Sequence, residues 1–141
     1  MKNLCIIIPV YNEEDNLERV KQEMENFMRI ASVPTEILFV NDGSSDGSLR
    51  IIQEICGNNT NFKYINFDRN YGLSAAIKAG IDHAQTELIG YIDSDLQTDP
   101  DDFNLLLKEI KEYDLVTGVR TNRTDSFVKN MSSSIANGIR R

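Results

Sequence analysis

The chain is short of several things, and each shortage closes a class. Its 141 residues include two cysteines, Cys5 and Cys56, which form neither a C-x-x-C pair nor a metal-binding spacing. A disulfide scaffold and a cysteine-rich zinc domain are therefore excluded, and both thiols are expected to be buried and reduced. The single histidine, His83, has no ligand partner near it in sequence. Long apolar runs are missing too. The first, Leu4–Val10, contains Pro9 and falls far below the ~20 residues a membrane span needs. It also lacks the length and cleavage pattern of a signal peptide, so the sequons at Asn58, Asn122 and Asn130 carry little weight. Positive charge is scarce: 15 Lys and Arg face 22 Asp and Glu, for a net charge of −7. This balance argues against nucleic acid or an anionic membrane surface as partner, and an anionic substrate would need a metal or a local basic cluster. At 40% hydrophobic and 26% charged, the chain is neither disordered nor fibrous, and it is long enough for one domain with a real core.

What is present alternates. Leu4–Val10 is a continuous isoleucine-rich run, the pattern of a strand buried on both faces. Asn12 is placed to cap a following helix with Glu13, Glu14 and Asp15 in its first turn, where the helix dipole favours acids. Leu17, Val20, Met24, Phe27, Met28 and Ala31 then share one helical stripe. Pro34 breaks the chain, and residues 36–40 give a second strand, followed by the polar turn Asn41-Asp42-Gly43-Ser44-Ser45-Asp46-Gly47. Leu49, Ile52, Ile55 and Cys56 mark a short helix ended by Gly57. Residues 62–67 read as a third strand, Arg69-Asn70-Tyr71-Gly72 as a loop, and Leu73, Ala76, Ile77, Gly80 and Ala84 as a small-residue helix face. Residues 88–92 predict a buried fourth strand. Asp99-Pro100 is an N-cap and first-turn proline for a helix lined by Phe103, Leu106, Leu107, Ile110 and Tyr113. Residues 115–119 predict a fifth strand. Alternating strands and helices imply an α/β fold with a mainly parallel sheet and right-handed crossovers. The chain then turns basic (Arg120, Arg123, Lys129, Arg140, Arg141) and stops at Ile139-Arg140-Arg141 in a stretch that reads as helix, which predicts a fragment of a longer protein.

The most informative stretch is Tyr91-Ile92-Asp93-Ser94-Asp95-Leu96-Gln97-Thr98-Asp99-Pro100, where a strand runs into two carboxylates one residue apart. Two such charges ~4 Å apart repel by roughly 4 kcal/mol at an effective dielectric of 20, unless a cation sits between them. In an open α/β sheet the loops after parallel strands share one edge, where ligands bind. Here that edge would carry Tyr11-Asn12-Glu13, Asn41-Asp42-Gly43-Ser44, Asn70/Gly72 and the acidic pair. A divalent cation on hard oxygen ligands that also takes substrate phosphates suits such a set.

Four ordered motifs carry a resemblance that covers essentially the whole chain: Ile8-Pro9-Val10-Tyr11-Asn12-Glu13-Glu14, Val40-Asn41-Asp42-Gly43-Ser44-Ser45-Asp46-Gly47, Arg69-Asn70-Tyr71-Gly72, and Tyr91-Ile92-Asp93-Ser94-Asp95-Leu96-Gln97. The sequence resembles the N-terminal half of an inverting family-two glycosyltransferase with the GT-A fold, and is closest to the enzymes that charge polyprenyl phosphates with sugar. Gly118-Val119-Arg120, Arg123 and Asp125-Ser126 fit that subgroup. The resemblance implies that residues 1–141 are the nucleotide-sugar-binding part of a GT-A domain. Pro9, Tyr11 and Glu13 would surround the donor nucleoside, and Asp42 would hydrogen-bond its base or ribose. Asn70, Gly72 and Ser94 would shape the same pocket. Asp93 and Asp95, with Gln97, would hold Mg²⁺ or Mn²⁺ against the donor diphosphate, and Arg120 would face a lipid phosphate or the departing nucleotide. The implied partners are a nucleotide-diphospho-sugar donor and a polyprenyl phosphate acceptor. The catalytic base would lie beyond residue 141. Membrane attachment at the cytoplasmic face would come from later segments, and self-association is left open.

The same residues admit other readings. Asp42, Ser44, Asp46 and Gly47 partly imitate a calcium loop, but Gln53 holds the twelfth position and a strand precedes the loop. A haloacid-dehalogenase-like phosphatase carries its acidic pair after the first strand, not the fourth. A sugar nucleotidyltransferase needs a glycine-rich, lysine-bearing loop after strand one, which is absent. Glu13 and Glu14 could serve only the helix dipole, and Arg140 and Arg141 a solvated helix face. A polysaccharide or glycan acceptor, or a nucleotide-binding or interaction module without catalysis, completes the alternatives.

Overall fold

The computed structural model describes residues 3–119. They divide into two compact units, one running to Pro100 and one from Asp101. In the first, β1 (Leu4–Val10), α1 (Leu17–Ile30), β2 (Thr35–Asn41), α2 (Ser48–Asn58), β3 (Phe62–Asn66), α3 (Leu73–His83) and β4 (Leu88–Tyr91) alternate as the sequence predicts. A 3-10 turn (Pro100–Asp102) begins at the last residue of the first, and the second holds α4 (Phe103–Glu109).

The four strands are parallel, in the order β3-β2-β1-β4. The chain steps one way from β1 to β2 to β3, then returns across the sheet to β4. With right-handed crossovers, α1 and α2 must cover one face and α3 the other. Packing agrees. Cys5, Ile7, Leu38, Val40 and Ala76 form one buried cluster under α3, with Ile65, Phe67, Ile81, Ala84 and Ile89 against it. Period-two alternation turns Ile6, Ile8, Ile37 and Phe39 to the opposite face. There Leu17, Val20, Met24 and Phe27 of α1 and Ile52 and Ile55 of α2 are buried, and the rings of Phe39 and Phe62 stack at 5.9 Å. Each such side chain contributes roughly 1.5–3 kcal/mol on burial. Gly80 lets α3 approach β1 closely: a Cβ there would lie 2.7 Å from Ile7 Cγ2.

The direction of winding reverses between β1 and β4, and Pro9 ends the ladder at that point. Val10 O accepts Asp42 N–H on the β2 side, whereas Ile7 O accepts Ile92 N–H on the β4 side. Pro9 shares the parity of Ile7, so the next rung toward β4 would require its missing N–H. The β1–β4 ladder ends there, at the carboxyl ends of the strands.

Several expectations are corrected. Residues 115–119 form no strand, because none of the described residues offers them a ladder partner. β4 is half-buried, not buried, since it lies at one end of the strand order. Leu73 is exposed, and Gly57 lies inside the last turn of α2 instead of ending it. The helix after Pro100 starts as a 3-10 turn and ends at Glu109, short of Tyr113. Asn12 does not cap α1, which begins at Leu17 after Asn16.

Candidate active site

Each parallel strand releases its chain at the same edge, so the loops after β1, β2 and β3 meet. The first is joined to the second by Asn12, whose backbone is left-handed at φ +52°. Its side-chain oxygen accepts from Ser45 N–H at 2.8 Å, Asp46 N–H at 3.3 Å and the Ser45 hydroxyl at 3.3 Å. Its own N–H donates to Ser44 Oγ; that hydroxyl donates to Asn41 Oδ1, and Asn41 Nδ2 donates to Asn66 at the end of β3. Glu13 N–H donates to Ser48 Oγ. Glu14 and Asp46 exchange bonds across the same junction: Glu14 N–H reaches Asp46 Oδ2, and Gly47 N–H, at the start of α2, reaches Glu14 Oε2. Glu14 therefore serves the N-terminus of α2, the helix after the next strand, instead of its own. Burial pushes the Asp46 carboxyl up, but bonds from the Ser48 hydroxyl and from Ser48 and Glu14 N–H outweigh this and hold it below the usual carboxylate value.

The second loop is joined to the third by Asp42, almost fully buried. Its Oδ1 accepts Tyr71 N–H at 2.7 Å; its Oδ2 accepts Gly72 N–H at 3.1 Å and Asn70 Nδ2 at 3.2 Å. Gly43, at φ +67°, lies against the backbone of Arg69 and Asn70, where a Cβ would come within 2.1 Å of Arg69 C. Tyr71 packs edge-on against Phe67 and takes the Arg69 guanidinium over its ring at 4.9 Å. Gly72, at φ +99°, has open space where a Cβ would stand. Asp42 and Asp46 spend their oxygens on backbone N–H groups, which removes the calcium-loop alternative.

The fourth loop follows β4. Ile92, Ser94 and Leu96 point inward and are buried, so alternation leaves Asp93, Asp95 and Gln97 exposed. Leu96 N–H donates to Asp93 O and Gln97 N–H to Asp95 Oδ1, closing a tight turn with Leu96 at φ +52°. The Tyr91 hydroxyl donates to Asp93 Oδ1. Burial first, then this bond and the charges of Asp93 and Asp95, push the Tyr91 pKa well above its ordinary value, so it stays protonated. Among the described residues no three His, Cys, Asp or Glu side chains gather as a closed metal cage. Two exposed carboxylates at a strand end fit an ion shared with phosphate oxygens and water, which is how Mg²⁺ is commonly held.

Pro9 and the exposed Tyr11 stand at the end of β1, and the 93–97 loop at the end of the adjacent β4. Tyr11, Glu13, Asp42, Asn70, Gly72, Asp93, Ser94, Asp95 and Gln97 thus all lie after strands at one edge, and Asp42, Asn70 and Gly72 touch directly. Arg120, Arg123, Asp125 and Ser126 lie outside the described residues. Asn12, Glu14, Ser44 and Asp46 stand in the motifs the sequence brought out, but the bonds that join them across the first two loops did not follow from it. The left-handed tendency of an asparagine just past a strand was the available signal.

Fold and site together define a GT-A-like α/β domain, and comparison with known proteins agrees. The chain belongs to glycosyl transferase family 2, whose profile matches residues 5–140. CsbB of Bacillus subtilis (strain 168), which carries the name glycosyltransferase, is 37% identical over 133 residues, covering 94% of this chain and 40% of its own length. The undecaprenyl-phosphate 4-deoxy-4-formamido-L-arabinose transferase of Klebsiella pneumoniae (strain 342) is 35% identical over 139 residues, 97% of this chain and 42% of the relative. The chain thus spans well under half the length of these relatives. The mannosyltransferase PcManGT of Pyrobaculum calidifontis, solved with GDP-Man and Mn²⁺, superposes with a TM-score of 0.65 at 19% identity, over 79% of this chain and 33% of that one, a likeness of fold. S. aureus TarS 1-349, solved with UDP-GlcNAc, gives 0.53 at 27% identity, over 67% and 27%. No helix among the described residues is long and apolar enough to cross a membrane.

Proposed function

We propose that this chain is the donor-binding part of an inverting glycosyltransferase that moves sugar from a nucleotide-diphospho-sugar to a polyprenyl phosphate. The observation that carries the proposal is the gathering of the loops after all four parallel strands at one edge of the sheet, with Pro9 and Tyr11 following β1 and the exposed Asp93/Asp95 pair following its neighbour β4. Tyr11 offers a half-exposed ring to a nucleobase, and Glu13 a carboxylate to a ribose hydroxyl. Asp42 sets the Asn70-Tyr71-Gly72 backbone that walls the same pocket. Asp93, Asp95 and Gln97 hold Mg²⁺ or Mn²⁺ against the diphosphate, with Ser94 packed beneath them; the ion, when bound, offsets the charge that grows on the departing nucleoside diphosphate. Tyr91 stays protonated and fixes the Asp93 carboxylate by its hydrogen bond. Arg120 suits the lipid phosphate or the leaving nucleotide, because a guanidinium takes phosphate oxygens in pairs. The polyprenyl acceptor is supported by the Klebsiella relative's name, and Mn²⁺ by the PcManGT complex.

Calorimetric titration of UDP-, GDP- and dTDP-sugars, with and without Mn²⁺, into the chain and into Asp95→Asn tests this. Mn²⁺-dependent uptake of one nucleotide sugar, lost in the variant, is expected; metal-independent uptake that survives in Asp95→Asn would refute the metal role.

A further inference from the structure

We infer that Asn12 is a positioning residue: it braces the first loop to the second and thereby fixes Tyr11 at the donor pocket. The inference rests on the donor-site reading for its functional half and on the loop geometry alone for its structural half.

Two facts single out Asn12. It is one of two non-glycine residues at positive φ among those described; the other, Leu96, lies in the 93–97 loop. A left-handed residue is unfavourable without compensation, and asparagine is among the few side chains that tolerate it. Its carboxamide oxygen also collects three donors from residues more than thirty positions away, all in the loop after β2. Those donors, two backbone N–H groups and a hydroxyl, are the groups that precede α2 and would otherwise turn to water. The left-handed turn aims the oxygen at them. The Asn12 N–H adds a fourth bond, to Ser44 Oγ. The neighbours on either side are Tyr11, half-exposed, and Glu13, whose N–H is held by Ser48. Tyr11 lies past the end of β1 at Val10, so its orientation depends on how Asn12 is anchored. Glu13 is held besides by Ser48 Oγ on its N–H, by Asn16 Nδ2 on its carboxylate at 2.7 Å, and by the N–H groups of Asn16 and Leu17 on its carbonyl. Asn12 reaches the pocket through Tyr11 without lining it.

Two substitutions separate the oxygen from the backbone shape. Asn12→Gly keeps φ +52° without strain and removes only the acceptor. Asn12→Asp keeps an oxygen in the same place. Three readouts on the 141-residue chain decide the matter: thermal midpoint, amide exchange at Ser45 and Asp46, and calorimetric affinity for UDP, GDP and dTDP with MnCl₂. In Asn12→Gly exchange at Ser45 and Asp46 should speed by about fivefold, the effect of one lost hydrogen bond at each amide, and the midpoint should fall by about 4–12 °C. Affinity for the nucleotide that wild type takes should fall about tenfold, and Asn12→Asp should restore all three readouts. A residue that only stabilised the fold would lower the midpoint and leave affinity, read well below that midpoint, at the wild-type value. Unchanged exchange in Asn12→Gly overturns the brace, and wild-type affinity in Asn12→Gly overturns the positioning role. If wild type takes no nucleotide, the donor-site reading falls, while the exchange result still decides the brace.

Discussion

Gly43→Ala is the perturbation whose effect the structure fixes most closely. Two costs add. At φ +67° an alanine pays roughly 1–2 kcal/mol for the left-handed backbone. Its Cβ would also lie 2.1 Å from Arg69 C, 2.3 Å from Asn70 N and 2.6 Å from Arg69 Cα. All three are backbone atoms, so no side chain can swing away and the third loop itself must move. Overpacking of this kind costs about 1–3 kcal/mol. The sum is about 2–5 kcal/mol, and at roughly 4 °C per kcal/mol for a chain of this size the midpoint should drop by about 8–20 °C. Two glycines serve as internal controls. Gly72, at φ +99° and ψ 164°, lies in a region essentially reserved for glycine but has open space, so Gly72→Ala should cost only the backbone part, about 1–3 kcal/mol. Gly57, in α2 with nothing near its Cβ position, should gain about 0.5–1 kcal/mol on substitution by alanine. Urea and thermal unfolding of the three variants give the ranking. If Gly43→Ala is no worse than Gly72→Ala, the loops after β2 and β3 do not approach as described.

Other outcomes follow from the same junctions. Asp42→Asn turns one accepting oxygen into a donor facing N–H groups and should cost about 1–3 kcal/mol by urea unfolding. Asp46 has its folded pKa below the unfolded value, so its stabilisation is present above the ordinary carboxylate pKa and is lost as pH falls through the folded one. Thermal scans should therefore show wild type ahead of Asp46→Asn at pH 7, with the gap closing below about pH 4. Burial pushes the thiols of Cys5 and Cys56 up to about 12 and about 11. Neither should label with a disulfide reagent at pH 8 in the folded chain, since under about a hundredth of either would be thiolate, and both should label in guanidinium.

How much of this was readable beforehand divides by range. The isoleucine run of β1, the Leu17/Val20/Met24/Phe27 stripe and the Ala76/Gly80 face each record their burial in local periodicity, and each is found buried as expected. The acidic pair was legible because alternation past β4 dictates which of 93–97 face out. What the sequence hid was pairing across distance. Asn12 satisfies every local rule for a helix cap, yet its partners sit some 32–34 residues on, and no local rule weighs them. Glu14 likewise reads as an acid for α1 and serves α2 instead. Residues 115–119 have strand composition, but a strand exists only with a partner, which composition does not supply.

The most direct measurement concerns the Asp93/Asp95 loop, on which the glycosyltransfer account depends. Mn²⁺ is paramagnetic and broadens amide signals close to it, so substoichiometric MnCl₂ added to the isotope-labelled chain with GDP-mannose or UDP-GlcNAc locates the ion. The account predicts that Asp93, Ser94, Asp95 and Gln97 broaden first, that Tyr11 and Glu13 shift with the nucleotide sugar, and that Asp95→Asn abolishes the broadening. Broadening centred on Glu13, Glu14 and Asp46 instead, or unchanged in Asp95→Asn, would contradict it.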